Sequence, residues 1–257
     1  MRLKRITPLL PFLFALAAPL AAQAPSPPPA QPPLMLGGVE PLMSRQKEVL
    51  DLLLAKKWEK AREAAKLQFV LLAGYVDQYP GLAATALALE ALADAGAGDR
   101  DQALCRWKVA QALDPKLVNA DLSAFGAAGE LLRSQPAETE EPKAAAQDGA
   151  EKPVKVGGEV TRPEIITHSA PLYPEAARRA KVTGTVVVES IIDKDGSVKN
   201  VRTLKDQPMG LGLSAMEAAC AWRFKPAALD HKPVKVYYVL TINFDVQKGP
   251  PPPISNP

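Results

Sequence analysis

The sequence predicts an α+β protein in which an N-terminal helical module precedes a C-terminal module of strands and short helices. Residues 42–134 are rich in alanine, leucine, lysine and glutamate, which favour helices. Residues 161–247 contain alternating apolar positions bounded by glycine and proline, a pattern typical of strands. Most of the 26 prolines cluster outside these two regions, where they favour linkers over a packed core.

The first 24 residues resemble an export signal. Three basic residues stand among the first five positions, Leu9–Leu20 is apolar, and Ala21–Ala24 offers small residues for cleavage. As a helix, the twelve apolar positions would span about 18 Å, against roughly 30 Å of bilayer hydrocarbon. A cleaved signal over residues 1–24 is therefore predicted, with the mature chain in the periplasm. An uncleaved anchor over Ile6–Ala24, holding the chain at the inner membrane and facing the periplasm, is the alternative.

Charge and motifs exclude several classes of function. Removal of the signal takes away three cations and leaves 28 basic and 28 acidic residues, so no strong basic patch favours nucleic-acid binding. The two histidines, His168 and His231, lack a partner at metal-ligand spacing, and the sequence contains no phosphate-binding or nucleophile motif. The sequence therefore predicts a protein that is not an enzyme and that needs no cofactor or metal.

The predicted helical module follows a proline-rich tether at residues 25–41 and occupies residues 42–134. Leu50, Leu53 and Trp58 belong to an i, i+3, i+4, i+8 pattern, as in an amphipathic helix. The module is expected to pack against the second module or to dock a protein.

The stretch "LALEALADAGAGDRDQALCRWKVAQALDP" resembles one tetratricopeptide repeat, a helix pair with small residues at the close approach and a closing proline. An earlier helix pair, Leu42–Leu54 and Trp58–Leu72, is a candidate second copy. Two copies are fewer than the three or so that such solenoids need, so a plain helical bundle is the alternative.

Residues 135–160 lose the hydrophobic periodicity and are predicted to form a flexible linker. The modules on either side each contain one cysteine, Cys105 and Cys220. Two unpaired, buried cysteines are the favoured interpretation. A disulfide between them, which export would permit, is the alternative.

The C-terminal module opens with "PLYPEAARRAKV", which predicts an extended run and then a short helix with Pro174 in its first turn. The next stretch, "GTVVVESIIDKDGSVKNVRTLK", predicts a hairpin that starts at Gly184 and turns at Asp195-Gly196. The apolar spacing in its second arm is not strictly two, which indicates a bulge.

A helix follows the hairpin, and Ser214-x-x-Glu217 has the pattern of a capping box at its start. Trp222 and Phe224 come at its end, where Pro226 disfavours continuation. Because alanine dominates the helices, the two aromatic rings are expected to fill the space between helix and sheet.

The stretch "PVKVYYVLTINFDV" predicts a long final strand, since apolar residues alternate along it. Alternate side chains of a strand point to opposite faces of its sheet. One face carries Val236, Tyr238, Leu240, Ile242 and Phe244, and the other carries Tyr237, Val239, Thr241 and Asn243.

The combination "PLYPEAARRAKVTGTVVVESIIDKDGSVKNVRTL…WRFKPA…VYYVLTINF", within residues 163–246, closely resembles the C-terminal domain of the TonB energy-transducer family. The resemblance implies a three-stranded antiparallel sheet with two helices on one face. It also implies that a short extended peptide of an outer-membrane transporter pairs with the edge of the last strand, whose backbone groups a partner strand can satisfy.

By position, the resemblance assigns partner binding to the last strand, where either Val239 or Leu240 should donate its N–H outward. A second contact is expected from the extended run Glu164–Tyr173. The predicted partner-binding residues are Lys235, Val236, Tyr237, Tyr238, Val239, Leu240, Thr241, Ile242 and Asn243, together with Leu172 and Tyr173. The residues with a structural role are Pro174, Gly184, Gly196, Trp222, Phe224 and Pro226.

The chain departs from the family at its N-terminus. The apolar run is short and carries no histidine or acidic residue, and the family's long proline-rich spacer is missing. The sequence therefore predicts an exported TonB-like binding protein that captures an extended segment of an envelope protein by strand addition, in the service of transport across the outer membrane. A membrane-anchored energy transducer and a structural module that pairs with its own copy are the alternatives. Residues 248–257 are predicted to be a disordered tail.

Overall fold

A computed structural model describes residues 40–134 and 152–246 of the chain. The predicted signal, most of the proline-rich tether, most of the linker and the C-terminal tail lie outside the described residues. Their predicted boundaries stay predictions. The last residues of the predicted linker are described, and they contain a short strand and a turn, so ordered structure begins before residue 161.

The N-terminal module consists of helices, as predicted. Helices that are neighbours along the chain pack pairwise, and α3 (Pro80–Ala97) lies between α2 (Trp58–Leu72) and α4 (Arg100–Leu113). Alanine fills much of the buried surface of α3, which lets its neighbours approach closely. The helical prediction is confirmed, whereas the likeness to a tetratricopeptide repeat stays a prediction. The helices are α1 (Glu40–Leu54), α2 (Trp58–Leu72), α3 (Pro80–Ala97), α4 (Arg100–Leu113) and α5 (Ala127–Arg133).

The C-terminal module combines strands with two helices, which confirms the α+β class. Short strands precede and follow the two long ones that form the predicted hairpin. In chain order the elements are β1 (Val154–Lys155), β2 (Glu164–Thr167), α6 (Glu175–Arg179), β3 (Gly184–Ile192), β4 (Val198–Lys205), α7 (Leu211–Cys220), β5 (Arg223–Lys225), β6 (Ala228–Leu229), β7 (Lys232–Pro233) and β8 (Val236–Phe244).

The main sheet has the strand order β1-β8-β3-β4. Its three long strands are antiparallel, as the family resemblance implies, and β3 pairs with β8 from Gly184↔Phe244 to Ile192↔Val236. The register between β3 and β4 shifts between Val187 and Val188, so the predicted bulge is confirmed. The even-numbered residues of β8 are all buried, which places the predicted apolar face against the core.

The two aromatic residues near the end of α7 are almost fully buried. Trp222 donates its indole N–H to the Ser169 carbonyl over 2.9 Å, and Phe224 lies edge-on to the Tyr238 ring. Their rings fill the space between helix and sheet, as predicted. Phe224 itself belongs to β5, which pairs with β2 in a separate two-stranded sheet.

The capping-box prediction at α7 is wrong. The helix begins earlier, after Gly210, so Ser214 lies inside the helix and is buried. Glu217 turns toward the helical module, where its carboxylate accepts a hydrogen bond from Arg106 over 2.7 Å. The ion pair with Arg106, and not a helix cap, therefore determines where the Glu217 carboxylate lies.

A disulfide joins Cys105 of α4 to Cys220 of α7, with 5.6 Å between the Cα atoms. The expectation of two unpaired cysteines is therefore wrong, because the two modules pack against each other and bring both side chains into one buried contact. Residues 106–219, including the predicted linker, lie inside the loop that this bond closes. While the disulfide is intact, the two modules cannot separate.

Candidate functional site

The strongest candidate for a binding site is the outer flank of β8. On its inner flank β8 pairs with β3 over its whole length. On its outer flank the described residues supply only β1, which pairs in parallel through Val154↔Val236 and Lys155↔Tyr237. The rest of β8, from Tyr238 to Phe244, has no strand of the described chain on that flank.

Two hydrogen bonds determine which residues of β8 point their backbone outward. The Lys235 carbonyl accepts from the Val154 N–H on the outer flank over 2.9 Å. On the inner flank the Tyr238 carbonyl accepts from the Ser190 hydroxyl of β3. Backbone N–H and C=O groups of successive residues point to opposite flanks of a strand. The backbone groups of the odd-numbered residues of β8 therefore point to the outer flank. Of the two predicted donors, the geometry therefore selects Val239 and rejects Leu240.

The odd-numbered residues of β8 are at least partly accessible, and none of them carries a charge. Val239 is 46% exposed and Asn243 is also exposed, while Tyr237 and Thr241 are half-buried. No residue of Val236–Phe244 is ionisable at neutral pH. An uncharged edge with alternate backbone donors and acceptors is suited to pairing with an extended segment rather than to electrostatic capture.

The predicted second contact lies partly beside this edge. Tyr173 packs edge-on against Phe244, with 5.5 Å between the ring centroids, and its hydroxyl donates to the Val182 carbonyl. Burial raises the pKa of the Tyr173 hydroxyl, and the nearby Asp245 carboxylate adds to the effect. Leu172 is half-buried next to it. The earlier part of the predicted run forms β2 and pairs with β5 instead.

The predicted structural residues lie at the ends of elements. Pro174 is the N-cap of α6, Gly184 begins β3, and Pro226 directly follows β5. Gly196 makes the hairpin turn with a φ of 79°, and a Cβ atom there would lie 1.7 Å from the Phe224 carbonyl oxygen. Glycine at 196 is therefore required both by the turn and by the passage of β5.

Sequence reasoning missed a buried ionic cluster where the two modules meet. Arg106 of α4 contacts Glu90 and Asp94 of α3 and Glu217 of α7, and the Arg106–Glu90 distance is 3.2 Å. Arg62 approaches Asp94 at 3.1 Å from the other side. Acidic residues inside the apolar stretch "LALEALADA" are the signal that could have indicated such a cluster, because isolated buried carboxylates need a cation.

The cluster perturbs the protonation of its carboxyl groups. Burial raises the pKa of Glu90 to about 8; Glu217 and Asp94 add to this effect, while Arg106 opposes it. Burial also raises the pKa of Asp94, against the opposing charges of Arg106 and Arg62. Glu90 therefore tends to hold a proton at neutral pH, which reduces the number of buried negative charges around Arg106.

The described residues contain no group of three or more histidine, cysteine, aspartate or glutamate side chains that could hold a metal ion. Within residues 40–134 and 152–246, no helix is long and apolar enough to cross a membrane. His168 lies edge-on to Trp222, and His231 is in the turn between β6 and β7.

Two comparisons with known proteins bear on the C-terminal module. Residues 169–246 match the profile of the family described as the Gram-negative bacterial TonB protein C-terminal. The chain is 30% identical over 109 residues to Protein TonB of Vibrio cholerae serotype O1, an alignment that covers 42% of this chain and 43% of that protein. The chain thus spans less than half the length of the curated relative that it matches.

Proposed function

We propose that this protein is exported to the periplasm and binds an extended segment of an envelope or outer-membrane protein by strand addition to the outer flank of β8, in the service of transport across the outer membrane. The observation that carries the proposal is the row Val239, Thr241 and Asn243, whose backbone groups face outward with no described strand beside them. A partner strand would satisfy these groups with hydrogen bonds. The match of residues 169–246 to the TonB C-terminal family supports the same role.

The opposite edge of the sheet does not offer the same opportunity. There β4 lies against α4, and Lys199 and Asn200 of β4 bond to Asp101 and Lys108 of α4. The helical module therefore covers the start of β4, whereas Arg202, Leu204 and Lys205 toward its other end are exposed. The exposed part of β4 carries the charged residues Arg202 and Lys205, which disfavour strand pairing, whereas the uncovered part of β8 carries no charge.

Val239→Pro tests this proposal, because it removes the outward N–H while leaving the ladder between β8 and β3 in place. Val239→Thr is the matched control, since threonine has nearly the same shape and keeps the N–H. In a pull-down from native envelope extracts, we expect Val239→Pro to lose the partner and Val239→Thr to keep it. Equal recovery by both variants would show that the partner is not held by this edge.

The membrane-anchored energy transducer is a second candidate, favoured by the identity to Protein TonB. In this version residues 1–24 stay attached and hold the chain at the inner membrane. The intact disulfide holds the helical and sheet modules together, so they would move as one unit. Mass spectrometry of the native N-terminus separates the two candidates: a chain that starts near Gln23 or Pro25 excludes the anchor.

A structural homodimer is the third candidate, because an uncharged edge strand can also accept a second copy of itself. Light scattering over a dilution series tests it. A monomer at every concentration would exclude pairing between copies, and a dimer that Val239→Pro dissociates would favour it over capture of another protein.

A further inference from the structure

The protein's own strand β1 already pairs with the first residues of the β8 edge that is proposed to bind a partner. β1 runs parallel to β8, and its Val154 N–H donates to the Lys235 carbonyl. The outward N–H of Tyr237 lies on the same flank, opposite β1. A partner strand that paired with all of β8 would therefore need the space that β1 fills.

β1 itself makes few interactions, and Val156, which follows it and would move with it, is only partly buried against the core. β1 is two residues long, both side chains are exposed, and Val154 is 37% exposed. Each backbone hydrogen bond contributes little net stability, because water bonds to the same groups once they are released. Detaching β1 should therefore cost far less than unfolding the module, whose stability comes from the buried face of the sheet.

The residues that follow β1 form a hinge and an anchor. Gly157 and Gly158 have φ values of 136° and 61°, which glycine adopts readily. Beyond them, the Thr161 N–H donates to the Ala228 carbonyl, and the Ala228 N–H donates to the Thr161 hydroxyl. β1 can therefore swing away about the two glycines while Thr161 stays in place.

We propose, on the premise that β8 captures a partner strand as proposed above, that β1 is a displaceable latch that competes with the partner for the start of the β8 edge. The uncovered end of β8, with Val239, Thr241 and Asn243, provides the first contact. A partner segment that extends the ladder toward Tyr237 then displaces β1. Because β1 is tethered, its effective concentration at the edge is on the order of millimolar, so weakly pairing segments fail to displace it.

Two proline variants of the full chain separate the latch from a passive strand. Val154→Pro removes the N–H that bonds Lys235 and should release β1. Lys155→Pro is the matched control, because alternation points the Lys155 N–H away from β8. By amide hydrogen exchange, we expect Tyr237 to exchange about fivefold faster in Val154→Pro, as loss of roughly 1 kcal/mol of protection implies, and to be unchanged in Lys155→Pro.

The second arm of the experiment measures partner capture. A photo-crosslinking amino acid replaces Tyr237 or Thr241, and the full chain is irradiated in the native envelope. We expect adducts at Thr241 in all backgrounds, and a several-fold higher yield at Tyr237 in Val154→Pro than in the wild type or in Lys155→Pro.

The outcomes distinguish the two proposals. Adducts at Thr241 with a Tyr237 yield that Val154→Pro does not raise would overturn the latch and leave strand capture standing. The absence of adducts at both positions in every background would overturn strand capture and, with it, the latch. An exchange rate of Tyr237 that is already fast in the wild type would also overturn the latch, because β1 would not be occupying the edge.

Discussion

The two edges of the main sheet have different surroundings. The outer flank of β4 faces α4 and carries Lys199 and Asn200, which bond to charged residues of the helical module. The outer flank of β8 has no ionisable residue in Val236–Phe244 and is covered only at its start, by β1. Both strands have the same unsatisfied backbone groups in an isolated sheet. The protein thus covers the start of β4 with α4 and carries the charged residues Arg202 and Lys205 on the rest, whereas most of the β8 edge is uncharged and has no described strand beside it.

The largest effect on the free energy of unfolding is expected in the buried ionic cluster around Arg106, where the two modules meet. Arg106→Ala should lower the free energy of unfolding by about 3–5 kcal/mol, because it leaves Glu90, Asp94 and Glu217 without their shared cation. Urea denaturation of the full chain measures this change. Arg62→Ala is the matched control and should cost less, since the Arg62 side chain is 28% exposed. A loss below about 1 kcal/mol in Arg106→Ala would show that the cluster does not stabilise the contact between the modules.

Removal of the disulfide should have the next largest effect. The Cys105→Ala, Cys220→Ala double variant is expected to lose about 2–5 kcal/mol of unfolding free energy, because the bond closes a long loop in the unfolded chain. Denaturation under non-reducing conditions gives the value, and the wild type with its thiols quantified provides the reference. Two free thiols in the native wild type would contradict the disulfide itself.

Stability should also depend on pH through the cluster. The folded chain keeps a proton on Glu90 up to about pH 8, whereas the carboxyl of the unfolded chain releases it near its ordinary pKa of 4.5. The folded state therefore binds more protons in this window, and the unfolding free energy should fall as the pH rises through it. The slope should reach at most about 1.4 kcal/mol per pH unit.

Glu90→Gln tests this pH dependence, because glutamine cannot release a proton and keeps nearly the same shape. Denaturation curves between pH 5 and pH 8, a range of roughly the pKa shift, should be flatter for Glu90→Gln than for the wild type. Equal slopes for the two proteins would assign the pH dependence to other groups.

The smallest effect is expected at the accessible edge. Val239→Pro should change the unfolding free energy by less than about 1 kcal/mol, because its N–H faces outward, whereas Leu240→Pro should cost roughly 3 kcal/mol or more through the lost bond to β3. Thermal melts of the two variants check the orientation of β8 without any partner. If Val239→Pro were the more destabilising variant, the backbone N–H groups of the even-numbered residues of β8 would be the ones that face outward.

Much of the C-terminal module could be predicted from the sequence because local patterns determine it. Alternation along Val236–Phe244 fixes which face is buried, and the Asp195-Gly196 pair fixes the hairpin turn. The aromatic pair Trp222 and Phe224 is also buried as predicted, since much of the buried face of α7 consists of small residues such as Ala215, Ala218 and Ala219. Each of these features depends on neighbours in sequence, so the sequence alone predicts them.

Features that depend on contacts between residues far apart in the sequence were either predicted wrongly or not predicted. Ser214 and Glu217 have the pattern of a helix cap, but Glu217 instead pairs with Arg106, which lies 111 residues earlier. β1 could not be foreseen, because Val154–Lys155 is too short to show periodicity and its strand conformation comes from pairing with β8.

The sequence by itself determined the two modules, the buried face of β8 and the family resemblance of the C-terminal module, because side-chain periodicity and turn residues act over a few positions. Only the tertiary structure decided that Cys105 and Cys220 pair, that α4 covers the start of β4, and that the Val239 N–H faces outward. These features depend on which strand and which helix lie on each flank of the sheet. That placement follows from packing between residues that lie 48 to 115 positions apart in the chain, and no local pattern encodes it.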